Sequence, residues 1–172
     1  MERKIGPNLT KDQTGLLKYW VGKCQENMLP VRRDVSPADL VFCLPSISIV
    51  ERRPCGTYAF RLAASALRDI LGTECRGKEL DQICGRSVPW YEALNQAVGT
   101  KSPVFGQTPC GHRRVHNWMR LPLEPTDNGH QPLLCYDRIE LLDARTPLRR
   151  ETMFVTAHAF RKNKAALARS AA

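Results

Sequence analysis

Apolar residues near the start of the chain recur at helical spacing. Leu16, Leu17, Trp20, Cys24 and Met28 fall at steps of three and four, with Lys18, Lys23 and Glu26 elsewhere around the helix. Such a stripe needs a surface to cover. Ser36-Pro37-Ala38-Asp39 then reads as a helix start, with serine as N-cap, proline at the first helical position and a carboxylate beside the exposed amides. Pro45 limits that helix to about two turns, because a proline disfavours helical backbone in the residue before it. From Ile47 the texture changes to β-type runs, Ile47 to Val50 and Thr57 to Leu62, divided by the turn chemistry of Arg53-Pro54-Cys55-Gly56. Residues 65–98 return to helical signals in short pieces broken at Gly72, Gly77 and Gly85. The last piece runs from a Ser87 cap through Pro89 to a Gly99 stop, with Trp90, Tyr91, Leu94, Ala97 and Val98 as its apolar face. Three further extended runs follow, Pro103 to Thr108, Arg113 to Leu123 and Leu133 to Leu142. After about residue 144 the patterning fades, although Thr152 to Leu167 permits a loose helix.

Five strands with their helices inserted between two blocks of strands predict an α+β domain with an antiparallel sheet, not βαβ alternation. A chain of 172 residues holds one core of ordinary size. The expected organisation is an N-terminal helical extension over residues 1–28, the domain proper over 29–143 and a basic tail over 144–172.

Charge changes this picture only at the ends. The net charge of +9 invites a nucleic-acid reading, but residues 54–143 carry ten basic and ten acidic side chains, and the largest surplus sits beyond residue 143. A nucleic-acid-binding body carries its surplus on the surface that meets phosphates. Nucleic acid is therefore not an expected partner. The seven cysteines form no CxxC pair and are odd in number, which suits a reducing, cytoplasmic compartment better than a disulfide framework. No stretch approaches the roughly 18 apolar residues of a membrane helix, and no transmembrane segment is expected.

Several local phrases resemble the stand-alone PAS-domain proteins of alphaproteobacteria. Leu29-Pro30-Val31-Arg32-Arg33-Asp34-Val35-Ser36-Pro37 is similar to that family's LPxRxDxxP lead-in, and Leu44-Pro45 before an apolar strand resembles its next block. Phe60-Arg61-Leu62-Ala63 before a helix, Gly72, Gly77-Lys78-Glu79-Leu80 and Leu121-Pro122-Leu123 complete the likeness, which covers residues 16–143. Where the family usually carries glycine, this chain has Ala64. The resemblance implies a PAS fold: a five-stranded antiparallel sheet with short helices on one face, room for a small-molecule pocket between them, and a sensory or regulatory role. With no catalytic motif in view, output through contacts with a signalling protein is expected, and a homodimer is left open. A ligand-free docking adaptor is the alternative, and a metal or thiol enzyme the remotest one.

Gly72-Thr73-Glu74-Cys75-Arg76 has the Gly-x-x-Cys-Arg spacing of flavin-binding PAS domains, but Glu74 replaces the asparagine and Gly77-Lys78-Glu79 replaces the Phe-Leu-Gln that contacts the flavin ring. Residues 65–111 contain no histidine to ligate haem iron. No cofactor is expected. Cys110, His112 and His116 fall on one face of a strand but lack a fourth ligand at recognisable spacing, so no metal site is expected either.

The run 113–123 splits by face into Val115, Asn117, Met119, Leu121 and Leu123 against Arg114, His116, Trp118 and Arg120. The apolar set is expected inward, where Asn117 and Met119 join Phe60, Leu67, Leu80, Trp90 and Leu94 as pocket candidates. The charged set is expected outward, with Trp118 covered by Leu16, Leu17 and Trp20 of the first helix or of a partner subunit's.

Overall fold

The computed structural model describes residues 9–26, 28–83 and 90–146 and the backbone of 153–156. Helix α1 (Lys11–Lys23) starts ahead of its apolar stripe because Thr10 caps it. The Thr10 hydroxyl accepts from the N–H of Gln13 at 3.2 Å, and the Gln13 side chain accepts from the N–H of Thr10 at 3.0 Å. Two orphan amides are thus satisfied reciprocally. The helix ends at Lys23 with Cys24 extended. Met28 consequently leaves the stripe and is 50% exposed. In place of the short helix expected after Ser36, residues 32–34, 37–40 and 44–46 form three separate 3-10 turns, two of them opened by Pro37 and Pro45.

The expected hairpin is present as β1 (Ile47–Arg52) and β2 (Tyr58–Leu62). Its turn closes through Arg53 N–H to Thr57 C=O at 2.8 Å, with Gly56 at a φ of +91° that disfavours any residue with a Cβ. Helices α2 (Ala66–Leu71), α3 (Leu80–Ile83) and α4 (Tyr91–Thr100) follow. Helix α4 runs through Gly99 and stops at Lys101, whose left-handed backbone supplies the terminus assigned to glycine. Gly85, Ser87 and Pro89 lie outside the described residues. Strands β3 (Val104–Pro109), β4 (Arg114–Pro122) and β5 (Gln131–Leu141) complete the five, and β6 (Met153–Thr156) is a sixth. The β6 residues were expected within a loose helix. Instead Met153-Phe-Val-Thr, a run of strand-favouring residues, pairs with β3 from Val104 opposite Thr156 to Gln107 opposite Met153. The rest of that expected helix lies outside the described residues.

All neighbours in the sheet are antiparallel, in the order β2-β1-β5-β4-β3-β6. The run from β2 to β3 carries α2, α3 and α4 across one face, while α1 covers the other. Each face has its own core. Leu16, Leu17 and Trp20 pack with Met119, Leu121 and Tyr136. Phe60, Leu67, Leu80, Trp90 and Leu94 pack with Trp118 and Leu133. Two buried polar bonds pin α1 to the sheet: Gln13 Nε2 donates to the carbonyl of Trp118 at 3.1 Å, and Trp20 Nε1 to that of Pro122 at 2.9 Å.

Gln13 therefore both caps α1 and docks it. Gln13→Ala is expected to lower the unfolding free energy by about 1–3 kcal/mol, from the lost cap and the orphaned groups. Urea denaturation checks this, and an unchanged midpoint would mean that apolar contact alone holds the helix.

Candidate functional site

Strand β4 decides what occupies the space beneath the short helices. Trp118 lies opposite Asp137 on β5 and Gly106 on β3, and Arg120 lies opposite Cys135 and Val104. These positions face α2–α4, while Met119 and Leu121 face α1. The expected assignment of faces is thereby inverted. Leu16, Leu17 and Trp20 of α1 cover Met119 and not Trp118, which joins Phe60, Leu67, Leu80, Trp90 and Leu94 in the other core. Asn117 and Met119 are not pocket residues with that set. Asn117 is buried and engaged at both ends of its amide, accepting from Gln107 Nε2 at 2.8 Å and donating to Glu140 at 2.9 Å. The two-residue period of a strand sorts side chains into two sets without saying which set meets which layer.

The inversion turns on Arg120, whose charge favours a solvent-facing position. Burying a lone guanidinium is prohibitively costly, yet Arg120 and Asp137 are both fully buried. The guanidinium grips the carboxylate in bidentate fashion, NH1 to Oδ2 at 3.0 Å and NH2 to Oδ1 at 2.8 Å. NH1 also donates to the carbonyls of Met119 and Tyr136 at 3.0 and 3.1 Å. His116 Nε2 donates to the same Asp137 Oδ1 at 2.8 Å. The guanidinium carbon stands 4.4 Å from the centroid of the Trp90 ring and 5.5 Å from that of Trp118, within cation–π range of both. Phe60 meets Trp90 edge to face at 5.6 Å, and Trp118 Nε1 donates to Thr108 Oγ1 at 3.0 Å. His116, Arg120 and Asp137 thus form a buried polar cluster that sequence reasoning missed. The available signal was a charge set against apolar neighbours in each strand, Arg120 between Met119 and Leu121, and Asp137 directly after Leu133-Leu134-Cys135-Tyr136.

Among the described residues, Phe60, Leu67, Leu80, Trp90 and Trp118 pack together in the layer where the resemblance allowed a ligand. A cleft of about 170 Å³ lies at its margin, lined by Ala64, Leu67, Arg68, Thr73, Glu74 and Cys75. Ala64 occupies the family's glycine position without a positive φ, its N–H donating to Ser48 Oγ at 3.0 Å. The Gly-x-x-Cys-Arg phrase closes on itself there. Glu74 accepts from Arg68 at 2.7 Å and from the N–H groups of Cys75 and Arg76, and the Arg68 hydrogen bond holds its carboxyl below the usual range. Cys75 is buried, and burial pushes its thiol pKa up.

Among the described residues no group of three His, Cys, Asp or Glu side chains is placed to hold a metal. His112 is exposed in the turn before β4, whereas His116 is committed to Asp137. The thiols differ with depth. Burial pushes Cys43 and Cys135 up to about 12, whereas a hydrogen bond with the Thr57 hydroxyl lowers the exposed Cys55.

An antiparallel sheet with a run of short helices across one face and a longer helix on the other is an α+β architecture. The family model of the PAS domain matches residues 10–100, from the cap of α1 through α4 and more than half of the chain, and the chain belongs to the PAS-domain family. PAS domains are sensory and regulatory modules in general. No curated protein and no solved structure shows significant similarity to the chain. None of the described helices is long and apolar enough to cross a membrane.

Asp137→Ala is expected to cost about 3–5 kcal/mol in urea unfolding, because it strands a buried guanidinium, and the paired Arg120→Met, Asp137→Leu replacement should recover most of that loss. A single-variant loss below about 1 kcal/mol would mean that water replaces the carboxylate. At about pH 8 a small alkylating agent should label Cys55 first and spare Cys43, Cys75 and Cys135, as read by peptide mass spectrometry. Equal rates at Cys135 and Cys55 would show a core that opens freely.

Proposed function

We propose that this PAS domain is a cytoplasmic, non-catalytic regulatory module that acts through protein contacts, with its interior occupied by its own side chains and not by a small molecule. The observation that carries this reading is the buried stack of Trp90, Arg120 and Trp118 on Asp137. It occupies the layer in which a ligand would lie between helices and sheet. The marginal cleft of about 170 Å³ is smaller than the roughly 300–1,000 Å³ of ordinary ligand pockets. Asn117, the polar group that would have read a ligand, is satisfied by Gln107 and Glu140 on the opposite face. The described cysteines are all free, in keeping with a reducing compartment.

Native mass spectrometry with an absorbance spectrum, on the full chain purified gently from its own type of cell, tests this reading. The expected result is the bare polypeptide mass with no absorbance beyond the aromatic band. A stoichiometric small-molecule adduct released on denaturation would overturn it and restore the sensor with a ligand.

A further inference from the structure

Outside the filled core, the sheet is incompletely paired. Strand β1 meets β5 from Ile47 opposite Tyr136 to Arg52 opposite Gln131, whereas β5 continues to Leu141 and is paired there, among the described residues, by β4 alone. The N–H of Leu142 donates to the carbonyl of Arg113, on the β4 side. Backbone groups alternate sides along an antiparallel strand, so Ile139 and Leu141 turn theirs toward the side that β1 vacates. Residues 42–46 and α2 wall this open edge into a groove of about 820 Å³. Phe42, Ile70, Ile139 and Leu141 supply its apolar surface, and Arg114 and Arg138 outnumber Asp69. Phe42 is 49% and Leu141 78% exposed. Arg138 reaches Asp12 at 2.9 Å, while Arg114 forms no ion pair with any described residue.

We propose that this groove binds an extended segment of a partner protein by strand addition to β5, the segment carrying a carboxylate two positions from an apolar residue. The inference rests on the reading that the module acts through protein contacts, and names the surface and the partner's chemistry. Unpaired backbone groups call for an extended chain, whose main-chain hydrogen bonds supply affinity and whose alternate side chains supply specificity. Arg114 lies opposite Leu141 and so shares the face of Ile139, Leu141 and Ile70, and the side of the segment on that face meets them with an apolar residue and, two positions on, a carboxylate that answers Arg114. The chain's own residues 157–172 fit poorly, since they hold four basic side chains and no acidic one. A second copy's β5 fits poorly too. The open edge is short and ends where Ile47 pairs with Tyr136, so a facing sheet would collide with β1, whereas a short segment would not.

The test uses the full chain and two fluorescein-labelled hexapeptides, one with valine and glutamate two positions apart in a threonine background, the other with lysine in place of the glutamate. Fluorescence anisotropy should show saturable binding of the glutamate peptide and binding at least about tenfold weaker for the lysine peptide and for Arg114→Glu. Hydrogen exchange at the Ile139 and Leu141 amides should slow on binding. Ile139→Pro removes a donor that makes no bond to β4, so it should abolish binding while Arg114→Glu, at an exposed position, guards against a folding artefact. Absence of saturable binding up to about 1 mM, equal binding of the lysine peptide, or a protein dimer dissolved by Ile139→Pro would each overturn the assignment. Those outcomes leave action through protein contacts standing; only a core-bound small molecule removes that.

Discussion

A guanidinium sealed from water is tolerated only where both its charge and its donors are met, and Arg120 satisfies that condition through Asp137 on the neighbouring strand. The pair settles several things together. Both partners are wholly buried and joined in bidentate geometry, so β4 and β5 hold a single register, because a one-residue slip would leave both charges uncompensated. Arg120 must lie beneath the short helices, which sends Met119 and Leu121 to the other face and gives α1 its apolar seat. Stacking against Trp90 then ties the start of α4 to the middle of the sheet.

Polar satisfaction, more than apolar burial, also distinguishes the two faces. Beneath α2–α4 the polar groups converge on Asp137, which serves His116 and Arg120 simultaneously. On the α1 side they are dispersed: Gln13 bonds the Trp118 carbonyl, Trp20 the Pro122 carbonyl, and Asn117 bridges Gln107 and Glu140. A convergent network of charge-assisted bonds is costly to disturb by parts. It therefore suits a rigid interior, and moves the search for function from the interior to the surface.

The surface in turn inherits its shape from the sheet. The 3-10 turn at residues 44–46 starts β1 opposite Tyr136, which leaves the last residues of β5 without a neighbour on that side among the described residues. On the far edge β6 covers β3. One edge is thus closed by the chain itself while a stretch of the central strand stays open, flanked by Phe42 and α2. A groove made by a strand that starts late is a property of pairing, invisible to any one segment.

Local chemistry was enough to read much of this protein from its residues. The hairpin at Arg53-Pro54-Cys55-Gly56, the stop at Gly72, the apolar face of α4 and the β-rich runs before and after the helices all depend on neighbours within a few residues, and together with the PAS-like phrases they specify the fold class. Thr10 and Gln13 were a legible cap that the apolar stripe, which begins later, obscured. What the residues alone left undecided was direction and partnership. Period two divides β4 into two sets, but only the tertiary structure brings Asp137, 17 residues from Arg120, within reach and so decides which set lies inside. The same holds for β6, whose short run becomes a strand because β3 offers it an edge. Burial of a charge is permitted or forbidden by a distant partner, and that partner is supplied by the fold.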